Sequence, residues 1–416
     1  MKQGQGTVHS AMAAGAALLT MVLAGCGGTE KIAGAEGLDG DPLVVGVIMD
    51  TSGTASFYSE QAVQMIEYAA EATNKGEFPA ALQELFGEDS RGILDRPVKI
   101  VTEDDGSDPN RAVQAARKLI AAGADAIIST SGSASALQSR IVCEEEKIPC
   151  IAPYSSSGAI VQQPNAGYVF TIAPNSTVQG AAFSGIFTAD GYETYAIVGD
   201  SSPTSAAVAD LYKAAFDEAG LKMVAREVVT VGSTDATAQV SRVRSAQPDV
   251  VFDSFASLTE EGLFYKSAGD SLNDIARWAN NGVITSDEPA KVAGAGIVGV
   301  KTLDVRSAEN TYGEEVQDSF SAANPDVDYL SWTTICNWEA FMVLKHAFEE
   351  AGSTEGTDVL TQIEGLQAFP SVLGPPGYTT SFSADNHNAS SAQALVPVVL
   401  EADGAIALAD DEKLSD

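Results

Sequence analysis

The feature that most constrains this chain is a strict alternation. From Pro42 onward, short apolar runs give way repeatedly to stretches with helical spacing. "PLVVGVIMD" reads as a strand and "SEQAVQMIEYAAEAT" as a helix. "PVKIVTEDD" reads as the next strand, after which Asp108 caps and Pro109 opens the helix "NRAVQAARKLIAAG", stopped by its Gly. "ADAIIS", "IPCIAP", "TYAIVGD", "MVAREVVTV" and "PDVVFDS" extend the series, with amphipathic helices between. Alternation at this spacing predicts an α/β fold with parallel sheets covered on both faces. The repeating stretch is too long for one core, so two such lobes are expected.

An internal echo supports two similar lobes. "RAVQAARKLIAAGADAIISTSGSASALQ" and "TAQVSRVRSAQPDVVFDSFASLTEEG" share an order of types: helix, Asp, apolar strand, a turn rich in Ser and Thr, helix. Each places a hydroxyl-rich turn at the carboxyl edge of a parallel sheet, where open α/β sheets bind ligands. Hydroxyls plus the N–H groups of a helix start form an anion site.

The N-terminus speaks to location. Residues 11–24, "AMAAGAALLTMVLA", are apolar, too short for a resident membrane helix and suited to a secretory signal. The run ends "LAGC", which looks like the lipobox of bacterial lipoproteins, with Cys26 as the lipid-bearing residue. Residues 27–42 carry five Gly and no periodicity, and read as a flexible tether. With 57 acidic against 23 basic residues the net charge is −34, which argues against nucleic acid or an anionic lipid surface as partner. Cys143 and Cys150, close together in "CEEEKIPC", are expected as a local disulfide in an exported chain, with buried free thiols the alternative. No His lies near them, so a metal is not expected.

At "VVGVIMDTSGTASFYSEQAV", "EDDGSDPNRAVQAARKLI", "GADAIISTSGSASALQSRIVCEEEKIPCIAPYSSSGAI" and "YVFTIAPNSTVQGAAF" the chain resembles the type I periplasmic binding proteins of the leucine/isoleucine/valine-binding class, which serve ABC importers. The resemblance implies two doubly wound parallel-sheet lobes joined by three hinge crossovers. Lobe one would hold 43–174 and 303–381, and lobe two 175–302 and 382–412, with 77–90 a surface insertion. It also implies a monomer without cofactor that captures a small polar ligand, an amino acid or related carboxylate or amide, and delivers it to ABC permease subunits. Ser133 aligns with the family's carboxylate-binding Ser. Tyr154, Ser155 and Ser156 occupy its second binding turn, and Tyr58 matches an aromatic at the cleft edge.

Lobe two departs from the family pattern. Asn280 and Asn281 stand where an acid usually meets the ligand ammonium, Ser257 or Leu258 near a usual Tyr, and Thr204 at another. Asp253 is a candidate replacement acid, or a strand-end structural residue. Enzyme readings find little. "GAGIVG" at 294–299 follows a helix and enters a strand, the reverse of dinucleotide-binding order. His346 and His387 sit near no nucleophile, and His387 lies in a polar turn. A sensor lipoprotein that presents its closed state to a signalling partner is the alternative to a transporter component.

Overall fold

The computed structural model describes residues 31–53, 56–162, 167–401 and 404–409. The signal segment and Cys26 lie outside the described residues. Along the chain run β1 (Leu43–Met49), α1 (Ser56–Lys75), α2 (Ala80–Phe86), β2 (Val98–Asp104), α3 (Pro109–Ala121), β3 (Ala126–Ser129), α4 (Ser133–Glu146), β4 (Cys150–Ala152) and β5 (Val169–Thr171). Next come α5 (Ser176–Ala189), β6 (Thr194–Asp200), α6 (Pro203–Glu218), β7 (Lys222–Val229), α7 (Thr237–Ala246), β8 (Val250–Asp253), α8 (Leu258–Ala268), β9 (Ala276–Ala279), α9 (Glu288–Ala293) and β10 (Lys301–Asp304). Last are α10 (Thr311–Ala323), α11 (Trp332–Ala351), α12 (Gly356–Glu364), a short hairpin of β11 (Phe369–Pro370) and β12 (Thr379–Thr380), β13 (Val396–Leu400) and β14 (Ile406–Leu408).

Two sheets carry the lobes. Lobe one has an all-parallel sheet in the order β2-β1-β3-β4-β5. Lobe two orders its strands β14-β13-β10-β9-β8-β6-β7, parallel from β10 to β7 with an antiparallel edge at β13 and β14. The inner strands are buried on both faces, as in "AIIS" and "VVFD", where every residue is buried. The helix starts follow local chemistry. The Asp108 carboxylate accepts from Asn110 N–H at 2.8 Å, and Pro109 fills a position that needs no donor. The echo noted above becomes α3-β3-α4 in lobe one and α7-β8-α8 in lobe two.

The second and third crossings sit later in the chain than expected. β10 belongs to the lobe-two sheet through Asp304, so the second crossing begins after 304. It is held by a buried ion pair, Arg306 to Asp304 at 2.7 Å. Residues 387–390 still pair with lobe one: Thr171 bridges Asn388, and the Ser390 hydroxyl donates to Ile172 O. His387, in the polar turn read from the sequence, is 1% exposed and stacks on Phe170 with ring centroids 4.2 Å apart.

Three other expectations change. From Ile32 on, the tether is fastened to lobe one: Asn74 donates to Ala33 O at 2.9 Å, Arg91 to Glu36 O at 2.8 Å and Arg96 to Asp41 O at 2.7 Å. A Gly-rich segment has little side chain to bury, but its carbonyls accept from guanidinium groups as well as any others. The insertion at 77–90 is a docked element. Phe78 and Leu82 are buried, and the fully buried Lys345 ammonium donates to Ser90 Oγ at 3.1 Å and Gly92 O at 3.0 Å while lying 4.6 Å from the Phe86 ring centroid. Cys143 and Cys150 are buried free thiols and not the expected bridge. Cys143 lies in the last turn of α4 and Cys150 opens β4, and both pack as small hydrophobes within one apolar cluster.

Candidate functional site

The lobe-one site grows from the carboxyl ends of β1, β3 and β4. β3 pairs with β1, and Thr130 N–H continues that pairing onto Ile48 O at 2.8 Å. The Thr130 hydroxyl lies 2.9 Å from that of Ser59, so this turn is pinned under α1. α4 then starts from Gly132, which has no side chain to cap it, and the N–H groups of the first turn open onto the cleft.

There a cavity of about 440 Å³ is lined by Tyr58, Ser107, Ser131, Gly132, Ser133, Ala134, Ser135, Tyr154, Ser155, Ser156 and Thr204. Six of the residues expected from the sequence thus meet, five from lobe one and Thr204 from the α6 start in lobe two. Tyr58 and Tyr154 meet edge to face, centroids 5.4 Å apart. The Tyr154 hydroxyl donates to Thr130 O, so this residue contributes a ring wall and not a free donor. Burial, and then the charges of Asp50 and Asp105, push the Tyr58 hydroxyl up to about 12. Ser155 is 4% exposed, and its hydroxyl has no hydrogen-bond partner among the described residues.

Carboxylates stand behind this wall. Ser107 donates to Asp50, while Ser135 and Ser131 approach the fully buried Asp105. Burial raises the Asp105 carboxyl, and the nearby hydroxyls of Ser135 and Ser131, together with the Ser107 N–H that donates to it at 3.0 Å, oppose that. Oxygens of Asp50, Asp104 and Asp105 all lie within 4.8 Å of one another. The pocket therefore combines helix-start donors and hydroxyls in front with negative charge behind. Ser107, Ser131 and Ser135 were not singled out from sequence. The signal was available for two of them, since Ser131 and Ser135 flank Ser133 in the same Ser-rich turn.

Lobe two contributes differently from expectation. Ser257 lines a second cleft cavity of about 1070 Å³, with Glu60, Gln61 and Gln64 of α1 on one side and Ser286, Asp287 and Glu288 on the other. Asn280 and Asn281 line neither cavity. Asn280 is 8% exposed and committed locally: its carbonyl accepts from Gly282 N–H at 2.7 Å, and its amide faces Phe255 O at 3.4 Å. Asn281 offers its main-chain oxygen to Trp332 Nε1 of lobe one at 3.1 Å. Asp253 is fully buried, accepts from Tyr265 OH at 2.6 Å, and also lines neither cavity. It is a strand-end structural acid.

Residues 42–405 match a family described as periplasmic binding protein. The chain belongs to that family. Among periplasmic binding proteins it is similar to the Leu/Ile/Val-binding protein homolog 2 of Brucella abortus (strain 2308), 25% identical over 80% of this chain and 85% of that one. It is also similar to the Leu/Ile/Val-binding protein BraC3 of Rhizobium johnstonii, 22% identical over 81% and 87%. Among solved structures, the leucine binding protein LivK of Thermotoga maritima MSB8 shares the fold with a TM-score of 0.70 at 20% identity, over 88% of this chain and 97% of that one. The LivJ protein of Streptococcus pneumoniae, solved in complex with isoleucine, has a TM-score of 0.69 at 15% identity, over 88% and 98%.

Proposed function

We propose that this periplasmic binding protein is the extracytoplasmic ligand-capturing component of an ABC importer and that it binds a small amino acid or a closely related zwitterion between its lobes. The observation that carries the reading is the 440 Å³ cavity, in which the uncapped start of α4, the Ser133 hydroxyl and the unpartnered Ser155 hydroxyl converge. A carboxylate suits those donors. Asp50 and Asp105 do not line the cavity but lie behind its hydroxyls, and their field favours a ligand that also carries a positive group, a zwitterion over a simple anion; Asp104 is already paired with Arg111 at 3.1 Å. The names of the Brucella and Rhizobium relatives, which refer to Leu, Ile and Val, point the same way.

In this reading ligand docks on lobe one and Thr204 and Ser257 close over it. Closure needs contacts made only in the closed state, since a ligand indifferent to the two states shifts nothing. The protein is held at the outer face of the cell membrane by lipid on Cys26 and meets its permease there; Cys26→Ser should release it unacylated. The deciding experiment is calorimetry of the purified full chain against the twenty amino acids, with mass spectrometry of whatever co-purifies. Micromolar binding of at least one amino acid, abolished or weakened about tenfold or more by Ser133→Ala, is expected. If no amino acid binds and none co-purifies, the reading is wrong.

A further inference from the structure

The two lobes are built alike at their strand ends and differ in where one carboxylate points. Asp50 follows β1 and donates its N–H to Ser59 Oγ at 2.9 Å; Asp200 ends β6 and donates its N–H to Ser205 Oγ at 2.9 Å. Thr130 N–H reaches Ile48 O at 2.8 Å, and Ser254 N–H reaches Val198 O at 2.8 Å. These matched contacts equate Gly132 and Ser133 of lobe one with Ala256 and Ser257 of lobe two. The Asp50 carboxylate accepts from Ser52 and Gly53 N–H in its own turn and from Ser107. Asp200 instead reaches across the sheet edge. Its Oδ2 accepts from Ala256 N–H at 2.7 Å and Ser257 N–H at 2.9 Å, while Oδ1 accepts from Ser202 N–H at 2.8 Å.

We propose that Asp200 is a built-in anion that fills the N–H pair of the lobe-two strand edge, so that the cleft accepts ligands with a single anionic group, seated on lobe one, and refuses dicarboxylates. The proposal rests on the ligand reading above. Asp200 acts as a positioning and specificity-determining residue. It is 2% exposed, and it ties the turn that carries Ser257 to the start of α6, which carries Thr204. Burial by itself raises its carboxyl, but the bonds from Ser202, Ser257 and Ala256 outweigh that and hold it below the usual carboxylate range. At neutral pH it is therefore charged. A second ligand anion facing lobe two meets this fixed charge and finds the matching donors already taken.

The test exploits the space that truncation leaves. Melting of the full-length Asp200→Ala protein is compared in sodium formate and in sodium chloride at equal ionic strength, with wild type and Ser133→Ala as controls. Formate should raise the melting temperature of Asp200→Ala over chloride by about 2 °C or more beyond any rise it gives the two controls, because the controls offer a soluble carboxylate at most the lobe-one cradle, whereas Asp200→Ala adds the vacated N–H pair. If Asp200→Ala does not fold, Asp200→Ser, whose hydroxyl still accepts from one N–H, carries the same comparison. Absence of that excess rise over the controls overturns the lobe-two cradle. Wild type should also gain no stability from succinate or L-glutamate; stabilisation by either overturns the exclusion. The excess over the controls depends on lobe two alone, so its failure is distinguishable from failure of the amino acid survey, which reads lobe one.

Discussion

The Trp332 indole, at the start of α11 in lobe one, donates to Asn281 O in lobe two at 3.1 Å and lies 3.2 Å from the Thr285 hydroxyl. Tyr329 adds a second cross-lobe bond, from its hydroxyl to Ile284 O at 2.8 Å. Gln61 of α1 braces the same segment from the lobe-one side, donating to Tyr329 O at 2.9 Å. Asn281, expected to touch ligand, therefore joins the lobes through its backbone.

Replacing that indole should loosen the pairing of the lobes. Trp332→Phe keeps an aromatic ring but removes both indole bonds, at a cost of about 1 kcal/mol. The ligand-free variant should show a larger radius of gyration by small-angle scattering than wild type. An unchanged radius would mean that these bonds do not hold the lobes together.

Ser155 separates a ligand role from a structural one. Its hydroxyl is buried with no partner among the described residues, so Ser155→Ala removes no bond seen in the free protein. Stability without ligand should stay within about 0.5 kcal/mol of wild type. Affinity for the amino acid identified by calorimetry should fall roughly ten- to a hundredfold, the worth of one hydrogen bond to a charged group. Unaltered affinity would remove Ser155 from the site.

Buried acids make stability depend on pH in a stated direction. Burial raises the carboxyls of Asp253 and its neighbour Glu261, and it pushes Glu339 up to about 7 against bonds from Thr380, Val372 and Ser371. A carboxyl raised in the folded state contributes fully below its unfolded value, about 4, and that contribution is lost as pH rises through the folded value. Glu261→Gln removes one such group. Relative to wild type it should gain melting temperature steadily from pH 5 to pH 8; a constant difference across that range would refute the assignment.

The thiols give a direct chemical check. With Cys143, Cys150 and Cys336 all buried and free, titration of denatured, unreduced protein should find these three reactive. Finding only Cys336 would restore the bridge between the other two.

Much of this protein was legible in its sequence because the relevant signals are local. Strand and helix alternation, the Asp108–Pro109 helix start and the Ser-rich turn after β3 depend on residues near one another in the chain. These were enough for the α/β fold, the two lobes and the meeting of Ser133 with the Tyr154–Ser156 turn around one cavity. What tertiary structure decided were contacts between distant segments. Residues 32–41 looked like a tether until Asn74, Arg91 and Arg96 were seen to hold their carbonyls. Asn280 and Asp253 carried plausible ligand chemistry by position, but burial beside Tyr265 and Phe255 spends their polar atoms within lobe two. Asp200 drew no notice, since a strand-ending Asp is ordinary by itself. Only the packing of β6 beside β8 brings its carboxylate to Ala256 and Ser257. Local chemistry sets which groups a turn can offer; which of them stay free for a ligand depends on the partners that folding brings from elsewhere in the chain.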